Sequence, residues 1–192
     1  MSSFEFLSVL ISVVVGLGIA NLLTGLGRLL QRHREVRVSL AFLVWTLFVF
    51  MFHVVYWWTI VFGWQEWQNW NLLVFLFVLT YGILLFLLSV ILFPVDMPAN
   101  WDPHTHFIDL RRWFFGIFVA LIVVEALDSY LKNHLAQFSL PYYGMLALWF
   151  ACAVAGWMSE SRRTQAVASL VVLGSMIAWV SYQLRDLEWS LS

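Results

Sequence analysis

The 192-residue chain has one cysteine, Cys152, one lysine, Lys132, and only 11% charged residues. A lone cysteine excludes a disulfide scaffold and dithiol redox chemistry. A net charge of −1 leaves no basic surface for a nucleic acid. The shortage of charge is the larger message. An average soluble domain is roughly half apolar and about a quarter charged. Here 62% of residues are hydrophobic and the mean hydropathy is +0.86. A water-soluble fold of this size would lack the polar surface to cover itself, and a disordered chain would not carry this much apolar side chain. The composition is that of an integral membrane protein.

Missing motifs narrow the chemistry. Retinal attachment needs a lysine inside a span, and Lys132 stands at a helix end. A bis-histidine haem needs two buried histidines on facing helices, and only His53 lies inside a span. There is no HExxH zinc motif, no P-loop and no GxSxG nucleophile elbow. No span carries the regularly spaced arginines of a voltage sensor. The reading leans away from an enzyme and calls for no cofactor.

A spanning helix needs ~20 mostly apolar residues. Six segments qualify: Phe4–Leu30, Ser39–Gly63, Leu72–Phe93, Trp113–Leu131, Tyr142–Met158 and Ala166–Leu184. The expected fold is all-α, a compact six-helix transmembrane bundle forming one domain over residues 1–192. Arg28, Arg32, Arg34, Arg37, Arg111, Arg112, Arg162 and Arg163 flank the odd-numbered loops. Only Lys132 and Arg185 flank the even ones. Positive charge marks the cytoplasmic side, so both termini are expected outside. The start MSSFEF has no basic n-region and does not read as a cleaved signal peptide.

Small residues recur at helical spacing. Ser12, Gly16, Ala20, Thr24 and Gly27 share one face of the first span, and Ala147, Ala151, Ala155 and Ser159 one face of the fifth. Gly116 and Ala120 add to the fourth. Such faces let helices approach closely, so the stripes are expected to pack inside the bundle, with a homo-oligomer interface as the alternative. Trp57, Trp58, Trp64, Trp67, Trp70 and Trp189 gather toward one membrane face, Trp101, Trp113 and Trp157 toward the other. They read as aromatic belts, and the three-residue spacing of Trp64, Trp67 and Trp70 suits a short interfacial helix. Thr80–Leu84 (TYGIL) and Tyr142–Leu146 (YYGML) form a faint internal repeat of the kind seen between inverted halves.

Ionisable residues at membrane depth are costly and point to function. At 1.5 Å per residue, His53 and Glu125 both lie ~20 Å from the cytoplasmic boundary, with Thr80 and Tyr81 at the same level. His53 and Glu125 are therefore expected to face each other and share a proton, the competing reading being a mutually satisfied structural pair. Asp128 stands four residues before Lys132, a salt-bridge spacing. Asn21, deeper on the first span, is expected to bond a neighbouring helix or join the polar path. The candidate core is thus Glu125, His53, Asn21, Asp128, Tyr81 and Thr80.

The third loop is the other polar concentration. Asp102–Pro103 reads as an N-cap and first helical residue, opening an interfacial helix that runs into the fourth span. On it Asp102, His106 and Asp109 share a face, a weak metal-site candidate. Arg111 and Arg112, with Arg34 and Arg37 of the first loop, are expected to meet anionic lipid headgroups or another anionic ligand.

The segments Phe4–Leu10 (FEFLSVL), Gly16–Ile19 (GLGI), Leu22–Leu26 (LLTGL) and Arg111–Gly116 (RRWFFG) resemble a group of small polytopic bacterial membrane proteins of uncharacterised function. That resemblance implies a bacterial inner-membrane location and supplies no activity and no site residues. Three readings follow. The first is a channel or transporter for protons or a small solute, using the His53–Glu125 layer. The second is a non-catalytic accessory, sensory or structural subunit with a membrane-protein partner. The third is a lipid-modifying enzyme using Asp102, His104 or His106.

Overall fold

The structure is a computed structural model that describes residues 3–36, 38–64, 67, 70–94, 96, 101–132 and 140–191. Side chains are described for these except at positions 3, 61 and 184–191. Among the described residues the chain is all-α, with α1 Ser3–Gln31, α2 Leu40–Gly63, α3 Leu72–Leu92, α4 Pro103–Leu131, α5 Leu140–Met158 and α6 Arg162–Leu191. All six are long and apolar enough to cross a membrane. Large apolar side chains also cover the outside, among them Leu17, Trp58, Leu73, Val123 and Ile177. Such a surface suits lipid and not water.

Local chemistry sets the helix starts. Ser39 accepts from the Phe42 amide at 3.3 Å, Asn71 from Val74 at 3.0 Å and Asp102 from Thr105 at 2.8 Å. Each supplies the acceptor that a free first-turn amide needs. Pro103 sits where its missing N–H costs nothing. The expected interfacial helix and fourth span are one continuous rod, because nothing between Pro103 and Trp113 interrupts the helix. α6 likewise begins at Arg162 and runs to Leu191, past both expected ends, since polar residues continue a helix beyond the hydrocarbon without penalty. The Trp64–Trp70 segment is irregular at Trp67 and Trp70, and positions 65, 66, 68 and 69 lie outside the described residues.

The helices close in the order α1, α3, α4, α5, α6, α2, with α2 pressed inward against α3 and α4. α2 is the most buried of the six. Aromatic rings fill the centre. Trp45 meets Phe114, Phe115 and Phe118 edge-on at centroid distances of 5.1 to 5.7 Å, and Phe48 and Phe52 do the same to Trp149. Edge-to-face geometry places positive ring edges on negative ring faces. Trp64 and Trp101, expected in the belts, are buried, as are Trp45 and Trp149, whereas Trp57, Trp58, Trp113 and Trp157 remain exposed.

The small-residue stripes do not pack inside. Ser12, Gly16, Ala20 and Thr24 are exposed, as are Ala147, Ala151 and Ala155, and no heavy atom lies within 4 Å of where a Cβ would stand at Gly16. The close approaches use other glycines. A Cβ at Gly18 would clash with the His53 ring, and one at Gly156 with the Phe115 ring. The larger residues on the opposite face of α1, including Leu7, Ile11, Val15 and Leu22, supply its core contacts, because bulk buries more dispersion contact than a smooth face does.

Gly18→Ala is expected to cost about 1–3 kcal/mol by overpacking. In the Gly18→Ala/His53→Ala double variant the two losses should fail to add by about 0.5 kcal/mol or more. Unfolding in detergent measures both. Asp102→Ala should cost about 0.5–2 kcal/mol through loss of the cap. The Thr105 hydrogen bonds hold the Asp102 carboxyl below the usual carboxylate range. Its contribution is therefore complete at neutral pH and is lost as pH falls through that lowered pKa, which a pH series of Asp102→Ala against wild type checks.

Candidate functional site

Glu125 lies six residues before the end of α4, about 9 Å along the helix axis. Its carboxylate accepts from two tyrosine hydroxyls on two other helices. Tyr81 of α3 donates a short hydrogen bond to Oε2, and Tyr142 of α5 donates to Oε1 at 3.0 Å. The Tyr142 hydroxyl also meets the Ser129 hydroxyl at 2.5 Å. Glu125 and Ser129 are four apart on α4, so both side chains face α5. The result is a hydrogen-bonded file, Ser129–Tyr142–Glu125–Tyr81. Beside it the Tyr56 ring of α2 lies 4.3 Å from the Tyr81 ring, and its hydroxyl donates to the Val78 carbonyl at 2.7 Å.

One turn nearer the end of α4 is a buried ion pair. Lys132 Nζ is 2.6 Å from Asp128 Oδ2, with both side chains at most 10% exposed. Trp64 Nε1 donates to the other oxygen, Oδ1, at 2.9 Å. The ammonium lies 5.3 Å from the centroid of the Trp64 ring, within cation–π range. A Cβ at Gly63 would stand 3.0 Å from Nζ, so the missing side chain makes room for the ammonium. The i, i+4 spacing read from the sequence is this pair. The group thus holds two acidic side chains and one ammonium.

His53 is not part of this group. It is fully buried, and its Nδ1 donates to the Val49 carbonyl at 2.7 Å. Nε2 has no hydrogen-bond partner and faces Gly18 of α1. No hydrogen bond or ion pair joins it to Glu125. Equal depth along two helices did not include rotation about their axes, and the His53 side of α2 turns to α1 while Glu125 turns to α3 and α5.

The other candidates are dispersed. Thr80 is exposed and bonds the Leu76 carbonyl of its own helix at 2.7 Å, because it is one position round α3 from Tyr81. Asn21 donates to the Ser89 and Phe93 carbonyls at 2.8 and 3.3 Å, tying α1 to the far end of α3. The short repeat places Tyr81 against Tyr143, yet Tyr142 is the residue that reaches Glu125 and Tyr143 is exposed.

At the opposite end, Asp102 caps α4 and also accepts from the Thr105 hydroxyl at 2.7 Å. His106 Nε2 bonds the Ile91 carbonyl at 2.8 Å, and Asp109 is exposed. The structure does not gather these three, and among the described residues no group of three or more His, Cys, Asp or Glu could hold a metal. Arg111 is turned to Glu160, at 2.5 Å, and to the Ile108 carbonyl at 2.8 Å. Arg34 and Arg112 are exposed, and Arg37 lies outside the described residues.

Sequence reasoning missed Tyr56, Trp64, Ser129 and Tyr142. A signal existed for Ser129, four residues after Glu125. The others are aromatics among many, and nothing local distinguishes a ring that packs from one whose polar atom reaches a carboxylate. No protein-family model, curated protein or solved structure matches the chain.

Lys132→Met should leave Asp128 buried without its counter-charge and destabilise by about 3–5 kcal/mol. Adding Asp128→Asn should recover most of that loss. Thermal unfolding of the purified variants separates the two.

Proposed function

We propose that the protein is a multi-pass transport protein of the bacterial inner membrane, carrying protons or a proton-linked small solute with Glu125 as the proton-bearing group. The observation that carries this reading is one carboxylate at membrane depth held between two tyrosine hydroxyls from different helices. A hydroxyl both accepts and donates, so the Ser129–Tyr142–Glu125–Tyr81 file has the connectivity a proton relay needs. An ionisable group at this depth marks an ion or substrate path in many membrane proteins.

The file does not continue through the bundle. Toward the other end α2, α4 and α5 carry Phe48, Phe52, Phe118 and Trp149 in ring contact. On this reading, access to Glu125 alternates through helix movement and does not pass through a fixed water-filled pore. The arginine distribution supports an orientation with the Arg111 end cytoplasmic and both termini outside.

A second reading has its own support. Both oxygens of Glu125 and both of Asp128 already have protein donors, as in a structural clasp. The chain would then be an accessory subunit, and the outward small-residue faces of α1 and α5 would receive a second copy or a partner's helix.

Reconstitution into liposomes with a pH-sensitive dye inside tests the choice. Wild type should pass protons under an imposed gradient, and Glu125→Gln should lower the flux ~100-fold or more while unfolding at a similar temperature. Normal flux through a folded Glu125→Gln variant would eliminate Glu125 as the carrier. Flux from neither, with a protein retained on co-purification, would favour the accessory reading.

A further inference from the structure

The largest group of charges left unused by the Glu125 cluster lies at the opposite end of the bundle. α4 has 29 residues, a rod of about 43 Å, against a hydrocarbon layer ~30 Å thick. Measured back from Lys132, that layer ends near Arg111 and Arg112. α5 has 19 residues, about the hydrocarbon thickness alone, and reaches the same boundary at Met158. Arg162 and Arg163 open α6 just beyond it.

The α5–α6 turn is tied to α4 at this level. Glu160 in that turn holds Arg111 of α4 at 2.5 Å, and Arg162 acts electrostatically on Asp102 and His104 at the start of α4. Arg111 is thereby committed to the protein. Arg112 and Arg163 are exposed, and neither has a hydrogen-bond or ion-pair partner among the described residues. Trp113, next to Arg112, is 71% exposed, and Trp157 of α5 is 42% exposed, its ring 3.2 Å from where a Cβ on Gly116 would stand. Exposed indoles at this level have an apolar body for acyl chains and an N–H for the headgroup region.

We propose that Arg112, Arg162 and Arg163 form a docking surface for the headgroup of an anionic phospholipid, with Trp113 and Trp157 beside its acyl chains. The charge is complementary, and the guanidinium fork matches phosphate oxygens. A free phosphate would meet the same arginines but would leave the indoles unused. The bound headgroup joins α4 to α6 across a turn whose own link is the Arg111–Glu160 pair. Glu160 is 67% exposed in that pair, and exposed pairs hold weakly. This surface is separate from Glu125 and does not depend on the transport reading.

The test is native mass spectrometry of the purified protein with phosphatidylglycerol against phosphatidylcholine of matched chains. Each arginine near the headgroup should contribute about a fivefold preference. The Arg112→Gln/Arg163→Gln variant should therefore lose about 25-fold of the wild-type preference. Phosphatidylglycerol should also raise the unfolding temperature, and inorganic phosphate at equal concentration should not. Equal retention of the two lipids would overturn the proposal. So would an unchanged preference in the folded double variant, or the same stabilisation by inorganic phosphate, which would indicate a free-anion site. If the double variant does not fold, the wild-type preference should still fall as salt is raised, and a salt-independent preference would overturn the proposal.

Discussion

Hydrocarbon offers no hydrogen-bond partner, so every polar side chain placed at membrane depth must find one within the protein. The rest of this bundle is arranged around that constraint at Glu125. Its two oxygens draw one tyrosine from α3 and one from α5, and one turn away Asp128 draws the indole N–H of Trp64 from the end of α2. Three other helices thus converge on two carboxylates of α4. Dispersion holds many helix pairs together without directional preference, whereas the carboxylates favour the faces of α3 and α5 that present Tyr81 and Tyr142.

The same constraint divides the bundle lengthwise. The half nearer Lys132 contains the tyrosine hydroxyls, the two acids and the ammonium. The other half of the core is filled by Trp45, Phe48, Phe114, Phe115, Phe118 and Trp149, in edge-to-face contact. A polar cluster backed by close-packed rings differs from an open channel, and on the transport reading a proton at Glu125 communicates with one side until helices move. On the transport reading, α3 and α5 are the elements whose movement matters, since they hold the tyrosines.

The two ends of the molecule differ in kind. At one, the lysine is buried with its acid and indole. At the other, arginines stand in the open, with Arg111 drawn to Glu160 and Arg112 and Arg163 left outward. Lysine and arginine side chains at helix ends are thus used in two ways, one to neutralise a buried carboxylate and one to face the headgroup layer. On the lipid-docking proposal, membrane lipid is a structural partner at the arginine end, beside the bundle's own contacts there, such as Gln165 to the Gly156 and Ser159 carbonyls.

Much of this architecture was legible from the residues in order. Six apolar runs determined six helices because backbone groups in lipid must bond within a helix. Asp102–Pro103 marked the start of α4, since cap and fixed φ are local properties, and the four-residue spacing determined the Asp128–Lys132 pair. Rotation was not legible. His53 and Glu125, set at one level by rise per residue, face different neighbours, and Thr80 and Tyr81 are adjacent in sequence but opposite in exposure. The outward small-residue stripes, the turn of Tyr142 to Glu125 in place of Tyr143, and the burial of Trp64 over Lys132 were decided by how the helices pack as a set. Each face competes for a limited interior, and which face enters depends on bulky contacts and polar partners contributed by other helices.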